Sequence, residues 1–153
     1  MIQIKNAAEL QKMRKACAIS AAALKAGGEA IEPGITTAEI DKIIYDFIVR
    51  HGARPNFLHL YGFPATACIS VNDTVIHGIP GYIVSLDTGC KIDGFNGDNA
   101  CTYACGKIDL EAQRLLDVTK ESLHRGIEMA CGGNRVGDIG HAVQSYVEEN
   151  GFS

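Results

Sequence analysis

Ser85-Leu-Asp-Thr-Gly-Cys-Lys-Ile-Asp-Gly-Phe-Asn-Gly-Asp-Asn99 reads as two strands folded back on one another. Asp93-Gly94 supplies the turn, because a two-residue type I′ hairpin needs positive φ at both central positions. With that pair as the loop, Gly89 faces Asp98 and Asp87 faces Ala100. Side chains alternate along a strand, so Asp87 and Asp98 leave the same face as diagonal neighbours, about 7–8 Å apart at Cβ or somewhat less. Aspartate is depleted in strands, and two on one face repel unless a cation lies between them. Hard carboxylate oxygens at that separation suit one divalent ion or a pair. Solvated strand-end aspartates would account for the same spacing without a metal, and Asp93 is read as a turn residue only.

Composition bounds the rest. The 153 residues suffice for one domain with a real core. With 46% apolar residues, 21% charged residues and a net charge of −4, the chain has the profile of a soluble globular protein without a basic patch for nucleic acid. Met1-Ile-Gln-Ile-Lys-Asn-Ala-Ala-Glu9 has no apolar signal core, and no run reaches the length of a membrane span. The six cysteines (Cys17, Cys68, Cys90, Cys101, Cys105 and Cys131) contain no CxxC pair or zinc-type Cys/His grouping. They read as reduced, small apolar residues, which points to the cytoplasm.

Apolar positions at helical spacing (Leu10, Met13, Cys17, Leu24) predict a helix within 6–30. Pro33-Gly34 ends it. Thr36 or Thr37, with Glu39, caps the next helix, whose stripe is Ile40, Ile43, Ile44, Phe47 and Ile48 up to Gly52. Short strands follow between 54 and 105. A third helix over 109–131 has Leu115, Leu116, Val118, Leu123, Ile127 and Met129 as its expected core face, and a fourth runs from about 136 to 150. The second helical pair repeats the first at an offset of 99 residues: Gly34–Ile40 aligns with Gly133–Ile139, and Ile44, Phe47, Ile48 and Gly52 with Val143, Tyr146, Val147 and Gly151. Two amphipathic helices with glycine breaks would also look somewhat alike. As a duplication, it predicts one partial α+β domain over 1–153, with a first α/β repeat at 6–105 and the helices of a second at 109–150. The sheet is antiparallel with helices on one face, and the second β block is expected beyond Ser153. The sheet's inner edge would then be unpaired and its apolar face uncovered, which invites self-association.

Cys68-Ile-Ser-Val-Asn-Asp73, His77-Gly-Ile-Pro80, Asp87, Asp93-Gly-Phe-Asn-Gly-Asp98 and Thr119-Lys-Glu-Ser-Leu123 together resemble the type I methionine aminopeptidases, a family with the duplicated pita-bread fold. The resemblance covers essentially the whole chain. It implies a metallo-exopeptidase in which two divalent ions (Co, Mn, Fe or Zn) activate a water against the first peptide bond of nascent polypeptides that begin with methionine. Paired metals lower a bound water's pKa and clamp both attacking and leaving groups. By the same resemblance Asp87 and Asp98 are metal ligands, His77 is the substrate-contacting catalytic histidine, and Phe57, Tyr61 and Phe63 line the methionine pocket. Unaided by it, His77 reads as a turn residue and the three aromatics as packing. His51, His59, His124 and His141 sit in no motif.

Two departures bear on function. Only Gly81–Leu86 joins His77-Gly-Ile-Pro80 to Asp87, several residues fewer than in the family, which bears on the strand register at the first ligand. The family's further ligands, one His and two Glu, have no matching motif here, so weak or no metal binding is expected of this chain, which is expected to be inactive alone. The alternative is a catalytically dead paralogue acting as a binding or oligomerising module. A proline-specific peptidase would share the fold, but the residues around His77 and Asp98 resemble the methionine enzymes.

Overall fold

The computed structural model describes residues 3–72 and 81–153, which divide into two compact units, Met1–Lys107 and Ile108–Ser153. The first unit contains α1 (Ala7–Glu29), α2 (Thr37–Arg50), β1 (Arg54–Pro55), a 3₁₀ turn (Leu60–Gly62), β2 (Ala67–Val71), β3 (Tyr82–Ile92) and β4 (Phe95–Cys105). The second contains α3 (Leu110–Met129) and α4 (Val136–Glu149). Among the described residues no helix is long and apolar enough to cross a membrane.

Every strand pairing is antiparallel, and β3 is the centre of the sheet. It meets β4 along its whole length on one side, and β1 and then β2 on the other. Alternation sorts the two faces. Val84, Leu86, Thr88 and Cys90 of β3 are buried, together with Ala67 and Val71 of β2, and pack with Leu24, Ile40, Ile44 and Ile48 of the two helices. The opposite face carries Cys68, Ser70, Ser85, Asp87, Asp98, Ala100 and Thr102. The uncovered face is therefore mostly small and polar, with Ile83 its one large aliphatic residue on β3, which corrects the expectation of an apolar one: most of the aliphatic residues of β2 and β3 fall on the helix side of the pleat.

The stripe that α1 buries differs from the expected one. Ala16, Ser20, Ala23, Leu24, Gly27 and Gly28 face inward, whereas Leu10 and Cys17 are exposed. Small residues win because the helix backbone lies almost on the sheet. Ser20 Oγ donates to the Thr88 carbonyl at 3.1 Å, and Cys90 Sγ to the Ala16 carbonyl at 3.5 Å. Helix α2 starts at a capping box in which Thr36, not Thr37, is the cap: Glu39 N donates to Thr36 Oγ1, and Thr36 N donates to Glu39 Oε2.

One carboxylate ties α2 to the sheet. Asp41 Oδ1 accepts from both Thr66 N and Ala67 N, each at 2.8 Å, satisfying outward amides where β2 begins. Asp41→Ala strands both donors, and is expected to lower stability by about 1–3 kcal/mol in urea unfolding.

The second helical pair reproduces the first in detail. Gly34 and Gly133 both have φ of 100°, and Gly52 and Gly151 have φ of 73° and 78°. Ala53 N donates to the Ile48 carbonyl at 3.1 Å, as Phe152 N does to that of Val147 at 3.1 Å. A Cβ on Gly27 would meet Ile44 at 2.7 Å, and one on Gly126 would meet Val143 at 2.8 Å. Helix α3 buries Val118, Ser122 and Gly126, leaving Leu123 and Ile127 each 58% exposed. The expected core face of α3 is thus corrected at Leu115, Leu123 and Ile127, because contact with α4 runs along the stripe of smaller residues.

Candidate metal centre

The site is built on the β3–β4 hairpin. Asp93 and Gly94 have φ of 52° and 83°, as a type I′ turn requires. Lys15 of α1 reaches the turn and pairs with Asp93 Oδ2 at 2.8 Å. That hydrogen bond first, and the lysine charge second, hold the Asp93 carboxyl below its ordinary range. Asp93 is therefore more than a turn residue: it fastens the hairpin tip to the helix. The register pairs Gly89 with Asp98 and Asp87 with Ala100, so the short Gly81–Leu86 approach leaves Asp87 on the same face as Asp98.

The two carboxyls feel one another. Burial pushes the Asp87 carboxyl up, as do the charge of Asp98 and a hydrogen bond shared between the two side chains. A like charge nearby disfavours the ionised form of Asp87, and a cation between the two side chains would reverse that effect. Cys68 sits opposite Asp87 on β2, and burial, then the Asp87 charge, raises its thiol, which disfavours the thiolate. Farther along, Ser85 Oγ and Thr102 Oγ1 lie 2.8 Å apart.

The donor set fits a hard divalent ion in kind, with two adjoining carboxylates on a rigid hairpin, and falls short in number. Among the described residues no group of three His, Cys, Asp or Glu could hold a metal ion. Of the expected pocket residues, Phe63 lines a shallow hollow with Thr37, Asp41 and Cys68, and Phe57 is half-buried. Tyr61 is 101% exposed at φ 50°. His77 lies outside the described residues. The roles of Cys68 and Asp41 were not foreseen. Only the β2–β3 register brings Cys68 to Asp87, and no short-range pattern announces a pairing across that distance.

Asp98→Asn is expected to raise neutral-pH stability by up to about 1 kcal/mol by relieving the like-charge pair. The sign follows from linkage. A carboxyl raised in the folded state contributes stability that is complete below its unfolded pKa and is lost as pH rises through the folded one. Melting curves should therefore show wild type losing stability just above the ordinary carboxylate range, with the variant flatter there.

The family described as metallopeptidase family M24 matches residues 11–153. Methionine aminopeptidase of Clostridium perfringens is 49% identical over 160 residues, covering 100% of this chain and 64% of that protein. Methionine aminopeptidase 1 of Bacillus subtilis is 42% identical, again over 100% of this chain and 64% of the relative. The crystal structure of methionine aminopeptidase from Rickettsia prowazekii superposes with a TM-score of 0.90 at 35% identity, covering 97% of this chain and 63% of its own. Prolidase from Pyrococcus furiosus, at 20% identity and a TM-score of 0.81, shares the fold alone. The chain thus spans about 64% of the length of the curated relatives it matches, and its architecture is a partial pita-bread fold. By sequence and by structure, the chain belongs to metallopeptidase family M24.

Proposed function

We propose that this polypeptide carries the carboxylate part of a methionine aminopeptidase site, removing the N-terminal methionine from nascent polypeptides in the cytoplasm. The observation that carries the reading is the Asp87–Asp98 pair, two acids held together on one face at a cost in repulsion that a cation would remove. Asp87 and Asp98 would hold divalent ions of the Mn, Fe, Co or Zn kind, and the two units would form one catalytic domain. When bound, such ions supply Lewis-acid polarisation and acidify water. Here the chain's own residues hold and orient. The hairpin, tied to α1 through Lys15 and Asp93, fixes both carboxylates on the open face of the sheet, Phe57, Tyr61 and Phe63 offer aromatic surface to a thioether, and His77 contacts the scissile amide.

Two carboxylates alone bind a divalent ion weakly, because the remaining positions fall to water. This chain assayed by itself is therefore expected to bind Mn²⁺ or Co²⁺ weakly. Its release of methionine from a peptide beginning Met-Gly should not exceed the metal-only blank. Turnover above that blank, abolished by Asp98→Ala, would show that the site is complete as it stands. The second reading, a module that has lost catalysis and works by association, is favoured by the short Gly81–Leu86 connection before Asp87. It predicts no turnover under any metal and no gain from added ligand-bearing polypeptide.

A further inference from the structure

We propose that Asn56 is a positioning residue of the acid pair, its side-chain amide accepting a hydrogen bond from a water on the divalent ion that Asp87 and Asp98 hold. The inference rests on the metal reading of that pair and adds to it a residue outside the His, Cys, Asp and Glu set.

Asn56 directly follows β1, and its N–H donates to the Gly89 carbonyl at 2.9 Å. The β1 register, Arg54↔Lys91 and Pro55↔Cys90, therefore continues to Asn56 opposite Gly89. On the other side of β3, the residue opposite Gly89 is Asp98. Asn56, Gly89 and Asp98 thus form one row across the sheet, and alternation puts that row on the face that carries Asp87. Asn56 stands diagonal to Asp87, about 7–8 Å away at Cβ or somewhat less.

Gly89 brings the two ends of the row together, because it has no side chain to stand between them. A Cβ there would lie 3.0 Å from Asn56 Nδ2 and 3.4 Å from Asn56 Cβ. The amide therefore lies over the buried Gly89, in the gap between its own strand and Asp98. Asparagine is depleted in strands, and this one spends its side chain on the acid face rather than on the core. An amide end can serve either charge. Beside two carboxylates it offers N–H groups, and Nδ2 is the atom over Gly89; a half-turn of the last torsion offers Oδ1 to the water on a cation. The diagonal spacing suits a contact bridged by one water, which is nearly as good as a direct hydrogen bond. Partners of this indirect kind orient what a metal binds and tune its affinity.

Mn²⁺ titration of the full chain by water-proton relaxation, at about 0.15 M salt, tests the proposal with variants of opposite expected sign. Asn56→Ala should weaken binding roughly tenfold, the usual cost of removing an indirect partner. Asn56→Asp should tighten it roughly tenfold, since a carboxylate is the stronger acceptor and adds to the charge around the ion. Misfolding could mimic the first result but not the second. Ser70→Asp is the control for added charge alone: Ser70 is diagonal to Asp87 on β2, on the side away from Asp98. Salt screens a charge that does not reach the ion's water, so its gain should be much the smaller. An Asn56→Ala chain that binds as wild type does, an Asn56→Asp chain that binds no tighter, or equal gains from Asn56→Asp and Ser70→Asp would each overturn the proposal. Asp98→Asn tells that failure from failure of the acid pair. If Asp98→Asn binds as wild type does, the metal reading itself falls; if it binds weakly while the Asn56 variants match wild type, only the role of Asn56 falls.

Discussion

Gly97→Ala is expected to cost about 3 kcal/mol or more, enough to shift the urea midpoint strongly or to prevent folding. Gly97 faces α1 from β4, and a Cβ there would lie 2.3 Å from the Ala16 carbonyl oxygen and 2.6 Å from Cys17 N. Both obstacles are helix backbone, so no rotamer change relieves them. The helix must lift from the sheet, which breaks the bonds from Ser20 to Thr88 and from Cys90 to Ala16. Since the same helix holds the hairpin tip through Lys15, the displacement would also loosen the strand that carries Asp98. Gly132→Ala is the matched control, because nothing lies within 4 Å of its added methyl. Equal effects of the two substitutions would refute the close-approach account.

Loss of a divalent ion is the second large effect, expected on replacing Asp98 with asparagine. The amide keeps the shape of the carboxylate but removes half the local negative charge and the ability to bridge. Substitutions of residues that merely support metal ligands cost 10–100-fold in affinity, so removing one of two direct ligands should weaken Mn²⁺ binding by roughly tenfold or more. The same change is expected to leave folding intact or slightly improved. That opposition of effects separates a ligand from a structural residue: a residue kept for packing would lose stability when replaced, whereas this one should lose only its ion.

The hairpin and its acids were legible in the sequence because the signals are local. Asp93-Gly94 dictates the turn, the turn dictates the register, and the register places Asp87 and Asp98 on one face. The repeated helical pair was legible for a similar reason, with Gly34 and Gly133 marking positions where only left-handed backbone closes the connection. What stayed hidden depends on contacts far apart in the chain. Periodicity favours large residues such as Leu10 and Leu123 for the core, yet close backbone approach selects Ala16, Ser20 and Gly27 on α1, and Ser122 and Gly126 on α3. Likewise the Asp41 anchor and the meeting of Cys68 with Asp87 follow from how β2 docks, which no motif encodes.

A double-mutant cycle on Mn²⁺ binding probes the shared-cation idea most directly: wild type, Asp87→Asn, Asp98→Asn and the double variant, each titrated by water-proton relaxation near neutral pH. If both carboxylates grip the same ion, either single change removes most of the affinity and the second adds little, a strongly non-additive result. Independent, additive losses, or an Asp87→Asn chain that binds as wild type does, would mean that the two acids do not serve a common metal.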